Sequence, residues 1–291
     1  MRSWLFVPGD SEKKLNKGLI SGADALIIDL EDSVALDAKP LARQMAAEFL
    51  AANRESDGPA LYVRVNAFDT GLTPADLEAV LPSAPVGIML PKACGRPDGE
   101  KLAQMLDGLE ADCGLHHGST RMLPIVTETA ASVLTVSSWA GAMPRLSGVT
   151  WGAEDLSADL GIANPRNDAG RYTDLFRHAR LLTILAAGAC ETDAIDTVYI
   201  DFRDGDGLRR ECEEGARDGF TGKLAIHPAQ VPVINEVFSI SERDLEEAKQ
   251  VIAAFAGKPD TGVVGIDGKM VDRPHLRRAE RILARAERQA R

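Results

Sequence analysis

The chain has 291 residues, 45% apolar and 26% charged, with a formal net charge of −11. That size suits one large globular domain or two small ones, and the acidic balance argues against general nucleic-acid binding, which needs a basic footprint. No apolar run approaches the ~18 residues of a transmembrane helix, and the N-terminus, "RSWLFVPGD", lacks the charged-then-apolar layout of a signal peptide. Cys94, Cys113, Cys190 and Cys212 show no metal-ligand spacing, so they read as reduced thiols in a cytoplasmic protein.

Strand-like runs alternate with helical patterns along almost the whole chain. Strands are predicted over Trp4–Val7, Ala25–Leu30, Leu61–Val65, Gly87–Leu90, Met122–Val126, Gly148–Trp151, Thr197–Ile200 and Lys223–Ile226. Helices are predicted over Glu12–Ile20, Pro40–Asn53, Pro74–Val80, Gly99–Glu110, Ala130–Ala140, Tyr172–Ala187 and Gly207–Asp218. Ser241, with Asp244 three residues on, caps a further helix in "SERDLEEAKQVIAAFAGK". Most of the strand runs are continuously apolar, as in strands covered on both faces. Eight such repeats point to an α/β fold, the (β/α)8 TIM barrel, over residues 1–256, followed by a C-terminal helical arm over 257–291. An open doubly wound sheet is the alternative, but no GxGxxG loop is present.

A barrel collects its chemistry where the strands end. Those ends carry Asp29, Glu31 and Asp32, then Arg64 and Asn66, Lys92, Glu128, Glu154 and Asp155, Asp201, and His227. Glu154 and Asp155 admit two readings: acids at the positive end of a helix dipole, or a carboxylate holding a metal at the barrel mouth. Polar groups at nearly every strand end favour the second. Glu128 and Asp155 end the neighbouring fifth and sixth strands, and oxygen-only ligation by one or two carboxylates suits Mg²⁺. Such an ion chelates a 2-hydroxy or 2-keto acid and acts on it as a Lewis acid. Arg64 is a candidate for binding a carboxylate or steadying developing charge. Gly152 and Ala153 let the backbone approach a substrate carboxylate, with Glu154 contributing mainly through its main chain.

The blocks "RSWLFVPG", "DALIIDLEDSV", "YVRVN", "IMLPK", "VTETA", "WGAEDLSADLG", "GFTGKLAIHPAQV" and "DGKMVDRPHLRRAERIL" run in order from residue 2 to about 283. Together they resemble the citrate lyase β-subunit family, with its malyl-CoA and citramalyl-CoA lyases, in the HpcH/HpaI aldolase superfamily. The resemblance implies a Mg²⁺-dependent carbon–carbon lyase that splits a short 3-hydroxyacyl-CoA, reversibly, into acetyl-CoA and a 2-oxo acid. It implies Glu128 and Asp155 as metal ligands, Arg64 as the substrate arginine, and Glu31 and Asp32 as holders of metal-bound waters. Phe6, Val7, Lys17, Ile226 and His227 match positions contacting CoA. Where relatives acting on malyl-CoA often carry an arginine two residues after "PG", this chain has Ser11, with Lys13 and Lys14 nearby.

The family's arm covers a neighbouring subunit's active site and delivers an aspartate, which matches Asp272 as the proton-transfer group. That implies a homo-oligomer, a closed ring such as a trimer. From Gly268 onward eight basic residues stand against three acidic ones, so the tail is near +5 and the remainder near −16. Leu276, Ala279, Leu283 and Ala286 form a stripe that should dock on its own barrel or on a neighbouring subunit. Asp267-Gly268 reads as a turn. A malyl-CoA thioesterase, a citrate lyase β-subunit acting on an acyl carrier protein, and a silent CoA-binding scaffold are the rival readings. His116-His117 reads as a surface turn.

Overall fold

A computed structural model describes residues 1–256 and 261–289, in two compact units, Arg2–Val237 and Phe238–Gln289 with Met1. The proposed linker Gly257–Pro259 lies outside the described residues.

The larger unit is built from Val-, Ile- and Leu-rich runs that pair edge to edge until the sheet closes. Strands β1 (Ser3–Pro8), β2 (Ala25–Asp29), β3 (Ala60–Arg64), β4 (Gly87–Leu90), β5 (Arg121–Thr127), β6 (Val149–Trp151), β7 (Ala194–Asp196) and β8 (Gly222–Ala225) form a closed parallel barrel. β2 and β4 are buried at every position, as expected of strands covered on both faces. Helices α1 (Glu12–Leu19), α2 (Lys39–Asn53), α3 (Thr73–Val80), α4 (Arg96–Asp112), α5 (Ala130–Thr135), α6 (Ala153–Leu160), α7 (Asp174–Ala189), α8 (Gly205–Asp218) and α9 (Val231–Phe238) follow the strands. Inside the barrel Trp4 of β1 meets Tyr62 of β3 edge to face, with ring centroids 4.9 Å apart. Interior layers are filled in this way from alternate strands. Gly87 of β4 leaves room for that ring, since a Cβ there would stand 2.3 Å from Tyr62 Cε1.

Two local features aim the strand ends. The β5–β6 register shifts between Ile125 and Thr127, a bulge one residue below Glu128. Bulges re-aim side chains and cluster beside active sites. Lys39 Nζ donates to the carbonyls of Leu30 and Glu31 at 2.8 and 3.0 Å, pinning the turn after β2.

The seventh strand corrects the sequence expectation. Thr197–Ile200, β-branched and apolar, lies outside it; β7 is Ala194–Asp196, and Ile200 is exposed. Asp196 tolerates the interior because cations surround it. Arg180 of α7 reaches it at 3.1 Å, Lys223 of β8 at 3.1 Å, and Trp151 Nε1 donates to it at 2.8 Å. Lys223 in turn meets Glu211 of α8 at 2.8 Å. Burial opposes ionisation of Asp196, but Lys223 and Arg180 outweigh it and hold the carboxyl well below its usual range.

In the smaller unit Ser241 caps α10 (Glu242–Phe255) as expected, accepting from Asp244 N at 3.0 Å. An antiparallel hairpin follows, β9 (Val263–Ile266) and β10 (Lys269–Asp272), turning at Asp267-Gly268 with φ of 48° and 77°. Two successive positive φ values suit a tight hairpin turn, and Asp-Gly is a favoured pair there. Helix α11 (Arg273–Gln289) packs against α10, with Ala279 of the expected stripe buried. Leu276 joins a small core of Phe255, Val264 and Val271. Leu276 and Ala279 of this stripe therefore pack within their own unit.

Asp196→Ala should leave Arg180 and Lys223 buried without their shared partner and cost ~3–5 kcal/mol. Urea denaturation checks this; a loss under ~1 kcal/mol would show that the network does not hold the β7–β8 wall.

Candidate active site

Five strand ends bring seven charged side chains together on one rim. Asp29 closes β2, and its carboxylate takes Arg64 Nε and Nη2 at 2.7 Å each. Asp29 also accepts the main-chain N–H groups of Glu31 and Ser33, fixing the turn that carries Glu31 and Asp32. With Nε and Nη2 so engaged, Arg64 turns Nη1 toward Glu31 at 3.0 Å and Asp32 at 3.7 Å. The Phe6 ring lies 4.8 Å from its guanidinium carbon, a cation–π contact. Burial opposes the charge on Arg64, but Asp29, Glu31 and Asp32 outweigh it and hold the guanidinium firmly protonated.

Asn66, two residues beyond β3, braces this corner. Its main-chain N–H and its amide both donate to the buried Asp76 at 2.7 Å. Arg43 closes the set onto Asp76 at 2.6 Å.

Across the rim, Glu128 is fully buried. A capping box at α5 fixes its main chain: Ser132 Oγ accepts from the N–H groups of Glu128 and Thr129 at 3.1 and 2.9 Å. Glu128 Oε1 accepts the main-chain N–H of Lys92, whereas its Oε2 has no hydrogen-bond partner among the described residues. Burial and the neighbouring Asp155 push the Glu128 carboxyl well above the usual carboxylate range. Gly152 makes the approach possible. A Cβ there would stand 2.9 Å from Glu128 Cβ, 3.1 Å from Glu128 Oε2 and 3.7 Å from Asp155 Oδ2. Both carboxylates therefore face the same gap beside Gly152, with Asp155 on the first turn of α6.

Lys92 joins the two halves. It follows β4 by two residues with φ 53°, a left-handed conformation uncommon for a residue with a β-carbon. Its ammonium lies 2.7 Å from Glu31 Oε1 and 3.2 Å from Asp155 Oδ1. Burial pushes Glu31 up to about 6, against the opposing pull of Arg64 and Lys92. A cavity of about 490 Å³ opens beside these groups, lined by Glu31, Asp32, Lys39, Asn66, Ala67 and Lys92 among others.

The cluster fits a divalent cation. Five carboxylates, Asp29, Glu31, Asp32, Glu128 and Asp155, face two cationic side chains, one of which is committed to Asp29. A buried carboxylate oxygen with no partner is costly, and a hard cation satisfies it. Glu128 and Asp155 are the residues that would hold it.

Other predicted residues lie elsewhere on the larger unit. Val7 is buried with its side chain turned toward Gly18 of α1, so only its backbone can meet a ligand. Lys17 is exposed in the last turn of α1, and Ala153 is buried at the start of α6. Glu154 is exposed; partial burial nonetheless pushes its carboxyl upward, opposed by Arg166. Ile226 and His227 are exposed, their N–H groups donate to Gln230 Oε1 at 2.9 and 3.2 Å, and the His227 ring stacks on Phe202. Asp272 belongs to the smaller unit, half-exposed, where a hydrogen bond from His275 holds its carboxyl below the usual range. Asp29 and Lys92 were given no role by sequence reasoning, although both stood among the strand ends.

A second group could be mistaken for a metal centre. Asp107, Glu110 and His117 bring ligand atoms within 4.8 Å of one another. Arg145 already meets that charge, bonding both carboxylates. His117 is an exposed partner of Asp107 at 3.3 Å, in keeping with a surface turn.

Residues 2–228 match the family model for HpcH/HpaI aldolase/citrate lyase. The chain belongs to the HpcH/HpaI aldolase/citrate lyase family. Within it, a (3S)-malyl-CoA thioesterase of Cereibacter sphaeroides is 39% identical over 291 residues, covering 98% of this chain and 94% of its own. A citrate lyase subunit beta-like protein of Mycobacterium tuberculosis is 36% identical over 283 residues, covering 97% and 94%. The crystal structure of CitE from M. tuberculosis, in complex with magnesium, acetoacetate and coenzyme A, superposes with TM-score 0.73 at 34% identity, covering 98% of each chain. The HpcH/HpaI relatives are thus enzymes of the citrate lyase β-subunit type, and the closed barrel is the fold the resemblance implied. No helix among the described residues is long and apolar enough to cross a membrane.

Burial opposes ionisation of Glu110, but Arg145 and the N–H groups of Thr120 and Gly118 outweigh it and bring the carboxyl down to about 2. A lowered folded pKa gives stability that is complete above the ordinary value near 4.5 and is lost as pH falls through 2. Glu110→Gln should therefore cost about 3 kcal/mol at pH 7. The gap should narrow between pH 4.5 and 3 in urea titrations; a gap independent of pH would refute the assignment.

Proposed function

We propose that this protein is a Mg²⁺-dependent carbon–carbon lyase. It cleaves a short 3-hydroxyacyl-CoA, of the citramalyl or malyl type, into acetyl-CoA and a 2-oxo acid, and runs in both directions. The observation that carries the reading is Glu128: fully buried, one oxygen without a partner, and beside a second carboxylate across the Gly152 gap. The magnesium, acetoacetate and coenzyme A named with the M. tuberculosis relative support it.

Bound between Glu128 and Asp155, Mg²⁺ would supply a Lewis acid for the oxygens of a hydroxy or oxo acid. Glu31 and Asp32, which line the adjoining cavity, would orient waters on that ion. Arg64, held by Asp29, presents Nη1 in a fixed direction toward the carboxylates and so steadies charge on the substrate. The amides that open α6, from Gly152 through Glu154, receive the substrate carboxylate. Phe6, Val7 and Lys17, with Ile226 and His227 on the adjoining strand end, are the CoA-side residues. Asp272 exchanges the proton at the acetyl carbon. It takes the proton in condensation and returns it after cleavage, and His275 keeps it ionised for the first of these roles. Asp272 comes from the arm of a neighbouring copy in a closed ring such as a trimer. Four unpaired cysteines suit a reducing cytoplasm, the setting we assign.

The thioesterase relative favours a second reading, in which water attacks the thioester at the same site and free CoA is released. A screen of short 3-hydroxy-diacid CoA thioesters with Mg²⁺ separates the outcomes. Acetyl-CoA with a 2-oxo acid is the expected product; free CoA would replace the lyase with a hydrolase. Activity confined to a carrier-protein substrate would replace it with a citrate lyase subunit.

Asp272→Asn should lower turnover ~10²–10⁴-fold with KM little changed. Steady-state kinetics check this, and unchanged turnover removes Asp272 from the scheme. Glu128→Gln and Asp155→Asn should each abolish the calorimetric signal of Mg²⁺ binding.

A further inference from the structure

Lys92 is the rim cation that touches both Glu128 and Asp155, with Glu31 as a third partner, and it does so from a backbone conformation that few non-glycine residues adopt. Its N–H donates to Glu128, while its ammonium lies 2.7 Å from Glu31 Oε1 and 3.2 Å from Asp155 Oδ1. The positive φ makes this double reach possible, because it brings the amide and the side chain of one residue to the same side of the rim.

Asp155 is the residue that a divalent ion and this ammonium must share. Arg64, the other cation present, is held away by its two bonds to Asp29. The left-handed backbone anchors Lys92 through its amide, so the ammonium stays within reach of the gap whether or not it holds Asp155. Glu31, its nearer partner, offers a place to remain when Asp155 turns elsewhere. Two cations a few ångströms apart repel, and the repulsion weakens binding of the ion that arrives from solution.

Resting on the metal site proposed above, we propose that Lys92 is a built-in competitor for that site. Its ammonium bridges Glu31 and Asp155 until a divalent ion enters, then withdraws to Glu31, and this exchange sets the metal affinity. Lys92 is therefore a positioning residue that acts on the carboxylates. Its removal tightens metal binding and at the same time weakens the protein that has no metal to hold the rim together. A lysine serving only to orient Asp155 has the opposite signature, since losing it would loosen metal binding.

The experiment uses the full chain and Mg²⁺ alone, stripped with chelator and titrated by isothermal calorimetry, for the parent, Lys92→Met, Lys92→Gln and Lys92→Arg. The neutral variants should bind Mg²⁺ about tenfold more tightly, the order Coulomb's law gives for loss of a unit charge roughly 6 Å from a divalent ion at the dielectric of water. Lys92→Arg, which keeps the charge, should stay within about threefold of the parent. In chelator the neutral variants should melt below the parent, and saturating Mg²⁺ should close that gap. Equal or weaker Mg²⁺ binding by Lys92→Met and Lys92→Gln overturns the proposal. A parent that binds no Mg²⁺ overturns the metal site itself, which is a different failure.

Discussion

The rim depends on one buried, under-partnered carboxyl group. Glu128 stands fully buried at the top of β5 with Asp155 across the Gly152 gap, and its only hydrogen-bond donor among the described residues is the amide of Lys92. A buried carboxylate without a full set of partners is among the costlier things a fold can hold. Most of what surrounds it limits that cost or makes it useful. The bulge between Ile125 and Thr127 interrupts the ladder just before it, the capping box at Thr129 and Ser132 holds its main chain, and Gly152 keeps a β-carbon out of the way.

The other half of the rim is balanced in advance. Asp29 takes two nitrogens of Arg64, so the arginine is oriented before any substrate arrives and presents a single remaining nitrogen to Glu31 and Asp32. Asp76 does the same one layer out, fixing Asn66 and Arg43. A rigid, charge-paired half beside an anion-rich half is what a cation site needs, because preorganised dipoles and charges need not rearrange when the ligand enters.

The barrel was legible because parallel strands covered on both faces read as largely apolar runs, and seven of the eight strands lie within one residue of where those runs put them. The seventh was misplaced for a physical reason. Asp193 and Asp196 look like loop residues, yet Asp196 lies inside, neutralised by Arg180 and Lys223 from parts of the chain that no local window connects. The same blindness hid Lys92 and Asp29. Each is an ordinary charge beside a strand end, and its role depends on which carboxylates or guanidinium the topology sets against it. The arm stripe of Leu276 and Ala279 was visible as a stripe, but its partner was not, because apolar periodicity states that a face is buried and never by what.

Two carboxylates with opposite surroundings complete the chemical picture. Glu128 is driven toward the neutral form by burial and by Asp155, while Asp272, half-exposed beside His275, is driven toward the charged form. Groups pushed apart in this way usually carry different tasks. A divalent ion bound there would reverse the local logic at Glu128, since beside a double positive charge the ionised form becomes the favoured one. Asp272 is kept ionised by its own hydrogen bond from His275, at the cost of some basicity. The division follows from where each acid stands: one on a buried strand end that must be charged by something else, and one on an exposed hairpin that carries its own partner three residues on.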